Sequence, residues 1–230
     1  MNRDHINDKG PTDMTAGQPS ADRRNAPSVS WCRDIPVRYE ADVAVIGGGI
    51  AGVSAACAAA RSGARVVLVE QFGVTGGVLT TGGVANFCGQ LHGQGEVFDC
   101  IQADLREFQA LGEKKPGGGA APLSDRPTVF HYEILAVVLQ ELLLHRRVKL
   151  LLHTHFVDAR VENDRISGCI VCGTSGPEAL RAKQFIDCSG ESVLARAAGC
   201  EVMKGGEGSP YQLPMSMMYF VRHVAPESVV

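Results

Sequence analysis

DVAVIGGGIAGVSAACAAARSGARVVLVE, residues 42–70, is the stretch on which the fold of this chain turns. Asp42 to Ile46 is a short β-branched run that stops abruptly at Gly47-Gly48-Gly49, as a buried parallel strand does when it enters a tight turn. Residues 50–62 are rich in alanine and other small residues, which suits a helix packed closely on a sheet, and Gly63 stands where a helix C′ residue would. Arg65 to Glu70 is a second buried strand. Strand, helix and strand within about thirty residues make a βαβ unit. Its turn carries Gly47-x-Gly49-x-x-Gly52, and each glycine has its own task. The first permits the sharp turn, the second lets backbone approach a pyrophosphate, and the third lets helix and strand pack tightly. The helix N-terminus offers N–H groups and partial positive charge to phosphates. Such glycine turns are common, so the acid that ends the next strand matters. That acid is Glu70, whose carboxylate is suited to ribose hydroxyls and repels a 2′-phosphate, which disfavours NADP. The bland alternative is a glycine turn followed by a solvated glutamate.

The bulk numbers agree with a soluble nucleotide-binding chain. The 230 residues are 45% hydrophobic and 20% charged, enough to bury a real core, and the net charge of −3 gives no basic face for nucleic acid. Eight cysteines do not make a disulfide scaffold in a chain of this length with no apolar leader at its start. No run approaches the ~18 apolar residues of a membrane span. A cytoplasmic location, with no membrane partner, is the expectation.

Residues 1–38 read as a disordered tail, with order beginning near Trp31 to Pro36. Beyond Glu70, residues 73–95 are dense in glycine. Helices are expected over 97–111 and 131–147, with a flexible loop at 113–126 between them. Strands are expected at 148–153, 156–161, 165–172 and 180–188, the second and third joined by an Asn163-Asp164 turn. A short helix is expected at 192–199 and a Met-rich strand at 215–221.

The stretch from Asp42 through Gly76-Gly77-Val78-Leu79-Thr80 resembles the N-terminus of FAD-dependent oxidoreductases of the glutathione-reductase-like clan. The resemblance implies that the Gly76-Gly77 loop passes beside the pyrophosphate and leads toward the isoalloxazine ring. Farther on, Phe185-Ile-Asp-Cys-Ser-Gly-Glu191 is similar to that family's apolar strand ending in Ala-Thr-Gly-Asp, which closes over the FAD. The hairpin around 156–172 falls where these proteins carry a small β insertion, and Val157 where they contact adenine through the backbone. The implied cofactor is FAD rather than NAD, since a plain NAD dehydrogenase needs neither the second glycine loop nor the return strand. The implied cofactor-binding set is Gly47, Gly48, Gly49, Ala51, Gly52, Glu70, Gln71, Gly76, Gly77, Thr80, Thr81, Val157, Ser189 and Gly190. The implied fold is α/β: a three-layer, Rossmann-like FAD-binding domain over 39–205 with a β-hairpin insertion. The start of a substrate-domain sheet is implied over 206–230.

Such proteins usually run longer, so the expectation includes a truncated or split chain whose substrate domain is completed by a partner subunit or a second copy. The leading expectation is an oxidoreductase passing a hydride from a small-molecule substrate to flavin N5. The alternative is a non-catalytic FAD-binding subunit. The weak catalytic candidates are Cys88 and His92, downstream of the loop expected near the flavin; Cys88 reads rather as an ordinary loop residue of a substrate pocket, and His92 as readily one as a proton-moving group. Cys169-x-x-Cys172 sits in an expected strand, where i and i+3 face opposite ways, and reads as packing rather than as a redox or zinc pair. His153-x-His155 reads as solvated histidines with no third ligand, so no metal is expected. Met215, Met217 and Met218 read as core or pocket filling, and the leucines of 134–144 as a buried helix face.

Overall fold

A computed structural model of the chain describes residues 32–87, 93–112, 128–203 and 217–219. The chain divides into two units, residues 1–34 and 35–230. Only Cys32 to Asp34 of the first are described, and they are irregular. The expected disordered tail lies outside the described residues as far as Trp31, and its last two residues, Val37 and Arg38, belong to a strand instead. Cys88, His92, the loop 113–126 and most of 206–230 also lie outside the described residues.

The second unit is built on β1 (Val37–Ile46), α1 (Ile50–Arg61) and β2 (Val66–Val69), the predicted βαβ unit. There follow β3 (Asn86–Phe87), α2 (Glu96–Glu107), β4 (Leu111–Gly112), β5 (Thr128–Phe130), α3 (Tyr132–His145) and β6 (Lys149–Leu151). The chain then runs through β7 (His155–Glu162), β8 (Arg165–Gly173), β9 (Gly176–Asp187) and α4 (Val193–Ala197). One six-stranded sheet has the order β6-β2-β1-β9-β8-β7. Its first four strands are parallel, and β7, β8 and β9 form an antiparallel meander. The turn between β7 and β8 places Asn163 and Asp164 at φ 50° and 58°, the left-handed pair that joins tight hairpins.

Alternate residues of the parallel strands face opposite ways and feed two cores. Val45, Val66 and Leu68 pack with Val53, Ala56 and Cys57 of α1 and with Leu135, Leu139 and Leu143 of α3. Ala44, Ile46, Val67 and Val69 pack on the other face with Val171, Leu180 and Leu194, flanked by Phe156 and Ala159 of β7. The result is the three-layer, Rossmann-like architecture expected from the sequence. The leucine face of α3 is buried as expected, and so is Cys169.

Four expectations are corrected. The first strand begins at Val37 rather than Asp42, because the long β9 continues the ladder: Ala179 N–H donates to Pro36 O at 2.9 Å. The second helix stops at Glu107 rather than 111. Gln109 takes φ 54° and Ala110 N–H closes back on Leu105 O, freeing Leu111–Gly112 to pair with β5. The small sheet β3-β5-β4 was not anticipated at all. Finally, Met217 to Tyr219 form no strand and fill no core. They pair with no strand among the described residues, and Met217 is 87% exposed.

Candidate functional site

The parallel strands β1, β2 and β9 end together, and the sheet changes connection between β1 and β9. That is where open α/β sheets bind ligands. A cleft of about 590 Å³ opens there. Its floor is made by chain segments far apart in sequence, and glycine is what lets them meet. Gly47, at φ 100°, could carry no side chain, since a Cβ would lie 2.4 Å from Cys188 O. Gly76 N–H donates to Gly48 O at 2.8 Å, and Gly49 and Gly76 form a parallel bridge. The second glycine loop is therefore laid directly on the first, and Thr80, buried, holds it by donating to Thr75 O at 2.8 Å.

The three motif glycines differ in what surrounds them. A Cβ at Gly52 would lie 1.8 Å from Gly47 O, so this position is glycine because helix and strand touch. A Cβ at Gly49 would meet nothing within 4 Å. Gly49 takes φ −64°, which any residue adopts, and it lines the cleft. The chain leaves space at Gly49 that it does not itself use. The space sits at the N-terminus of α1, which has no side-chain cap and no acidic residue in its first turn. Backbone and dipole there favour an anion. Phosphate chemistry fits this cradle.

Glu70 is only 4% exposed and is held on both oxygens. Gly48 N–H donates to Oε2 at 2.7 Å and Phe72 N–H to Oε1 at 2.8 Å. A carboxylate oxygen has two acceptor sites, so each retains one for a further donor from the cleft it lines. The anion is fixed in place before any ligand arrives.

The third wall is the end of β9. Asp187 accepts from the Ser189 hydroxyl at 2.6 Å, from Ser189 N–H at 3.0 Å and from Ala195 N–H at 2.9 Å. Burial pushes its pKa up, but these donors, with Leu194 N–H, outweigh burial and hold it below the ordinary carboxylate value. Asp187 thereby ties the Ser189-Gly190 turn to the start of α4. Cys188 lines the cleft, and burial and the Asp187 charge raise its thiol pKa, which disfavours the nucleophilic thiolate.

Of the residues predicted for the site, Gly47, Gly49, Glu70, Gln71, Gly77, Thr81, Ser189 and Gly190 line the cleft. Gly48, Gly52, Gly76 and Thr80 stand behind it and hold its walls together. Ala51 is exposed on the first turn of α1, and Val157 is exposed on β7 next to Phe156, which does line the cleft. The sequence reading missed Asp187 as a positioning group, and it missed Phe72, His155 and Phe156 as cleft residues. An acid immediately before a small-residue turn was the available signal for Asp187. His153 and His155 are exposed as expected, and no cluster of metal-ligating side chains exists among the described residues. No helix among them is long and apolar enough to cross a membrane.

The model of the family described as FAD dependent oxidoreductase matches residues 42–230. Among solved structures, a geranylgeranyl bacteriochlorophyll reductase-like protein of Thermoplasma acidophilum is similar at a TM-score of 0.53 and 19% identity, over 73% of this chain and 44% of that one. CabE, an aromatic hydroxylase from angucycline biosynthesis, is similar at 0.53 and 24%, over 69% and 33%. The flavin-dependent brominase Bmp2 is similar at 0.53 and 16%, over 69% and 40%. These likenesses establish the fold, and the chain spans less than half the length of each. A search of curated proteins finds no match.

Proposed function

This chain belongs to the FAD dependent oxidoreductase family, and we propose that it holds the ADP half of FAD in the cleft at the ends of β1, β2 and β9. The observation that carries this reading is the empty side of Gly49, a position kept bare where no protein atom needs the room. The uncapped N-terminus of α1 receives the pyrophosphate, and the Gly76-Gly77 backbone flanks it. Glu70 accepts from the ribose hydroxyls while its other lone pairs stay on Gly48 and Phe72. Asp187 keeps Ser189-Gly190 where bulk would close the cleft. The FAD-binding unit is the one the sequence bounds at 39–205, extended at its start to Val37, where β1 begins.

Bound FAD would supply redox chemistry, as a hydride acceptor at flavin N5 toward a small organic molecule. The residues described here would bind and orient the cofactor. The absorbance spectrum of protein loaded with FAD and then desalted tests the reading. A yellow protein whose flavin bands bleach on anaerobic addition of a two-electron reductant is expected. Protein that leaves the column colourless after incubation with excess FAD contradicts it.

A further inference from the structure

Glu70 is held on one oxygen by the first glycine turn, through Gly48 N–H, and on the other by Phe72 N–H. Gly47, Gly49 and Gly77, the backbone proposed to meet the phosphates, line the same cleft as Phe72, Thr154, His155 and Phe156. A ribose on Glu70 with its phosphates on the glycines directs the base toward Phe72.

Phe72 has an unusual combination of properties there. Its backbone is clamped: its N–H donates to Glu70 Oε1 at 2.8 Å, and its carbonyl accepts from His153 N–H at 3.0 Å. The next residue, Gly73, lies against the His153 imidazole so closely that a Cβ would sit 2.7 Å from Nε2. Thr154 N–H donates to Glu70 O, which closes the loop onto the strand end. Yet the Phe72 side chain remains 45% exposed and lines the cleft. A large apolar ring held open to water on a fixed backbone loses free energy unless something covers it. Its immobilisation also means that little further ordering is needed when a partner arrives. Flat aromatic surface in a nucleotide cleft is covered best by a base.

We infer that the Phe72 side chain is the stacking platform for the adenine ring. This rests on the cofactor reading above and adds a side chain to which that reading assigns no role. Because the same hydrogen bonds join Glu70 to Phe72, ribose and base are presented to the ligand as one rigid unit.

The test is ADP and FAD binding by titration calorimetry to wild type, Phe72→Ala and Phe72→Trp. Phe72→Ala is expected to weaken both ligands about tenfold or more, while its unfolding midpoint stays that of wild type because the side chain is half exposed. Phe72→Trp is expected to keep wild-type affinity, with tryptophan emission quenched by ADP well beyond any change shown by the wild type, whose only tryptophan is Trp31. Wild type that binds both ligands, with Phe72→Ala binding them equally well, overturns this inference alone. Wild type that binds neither overturns the cofactor reading, and this inference with it.

Discussion

A Cβ at Gly52 would collide with the Gly47 carbonyl, whereas a Cβ at Gly49 would touch nothing. Two glycines of one motif are thus glycine for opposite reasons, one internal to the protein and one external. Gly52→Ala forces α1 off β1, so we expect it to destabilise by about 1–3 kcal/mol or more, read as a lower urea midpoint. The spacing alone made the motif legible. It did not separate these roles, since that depends on how closely the Gly47 carbonyl folds back on α1. Asp187 is a second case. Its folded pKa is lowered, so its contribution to stability is present above the ordinary aspartate value near 3.9 and is lost as pH falls through the folded value. Asp187→Asn should flatten the acid limb of the stability profile below about pH 4 relative to wild type. An unchanged acid limb would show that the carboxylate gains nothing from its donors.

At the scale of elements, β1, α1, β2, α3 and β6 were legible because each is a local run of apolar residues bounded by glycine or charge. The meander was legible through Asn163-Asp164, whose residue types tolerate the left-handed turn. The two-residue strands β3 and β4 were not, because so short a run has no periodicity; only β5 between them defines them. Packing between elements was also hidden. Leu139 of α3, fully buried, reaches the glycine loop: its Cδ1 would lie 3.1 Å from a Cβ at Gly76. Leu139→Ala should therefore cost about 2–5 kcal/mol in urea unfolding and should also weaken FAD binding, because the loop loses its support. A variant destabilised by that amount with unchanged FAD affinity would show the loop to be held by Thr80 and Gly48 alone.

At the scale of the molecule, the cleft exists because three strand ends and two glycine loops are brought to one edge of the sheet. The residue types of that site were readable in sequence, and their convergence was not. Phe72, His155 and Phe156 look like ordinary loop and strand residues until the turn leading from β6 into β7 meets the segment after β2. A ligand that binds only the folded protein stabilises it by mass action, about 2.7 kcal/mol at one hundred times its dissociation constant. FAD should raise the unfolding midpoint accordingly, and NAD at the same concentration should not; the reverse ranking would favour a nicotinamide-dependent dehydrogenase. The most direct test of the central claim is FAD affinity measured beside thermal stability for Gly49→Val. The account predicts a melting temperature close to that of the wild-type apo-protein, because a Cβ at this position meets no protein atom within 4 Å, together with loss of FAD binding by about a hundredfold or more. A variant that folds and retains FAD with wild-type affinity would contradict it.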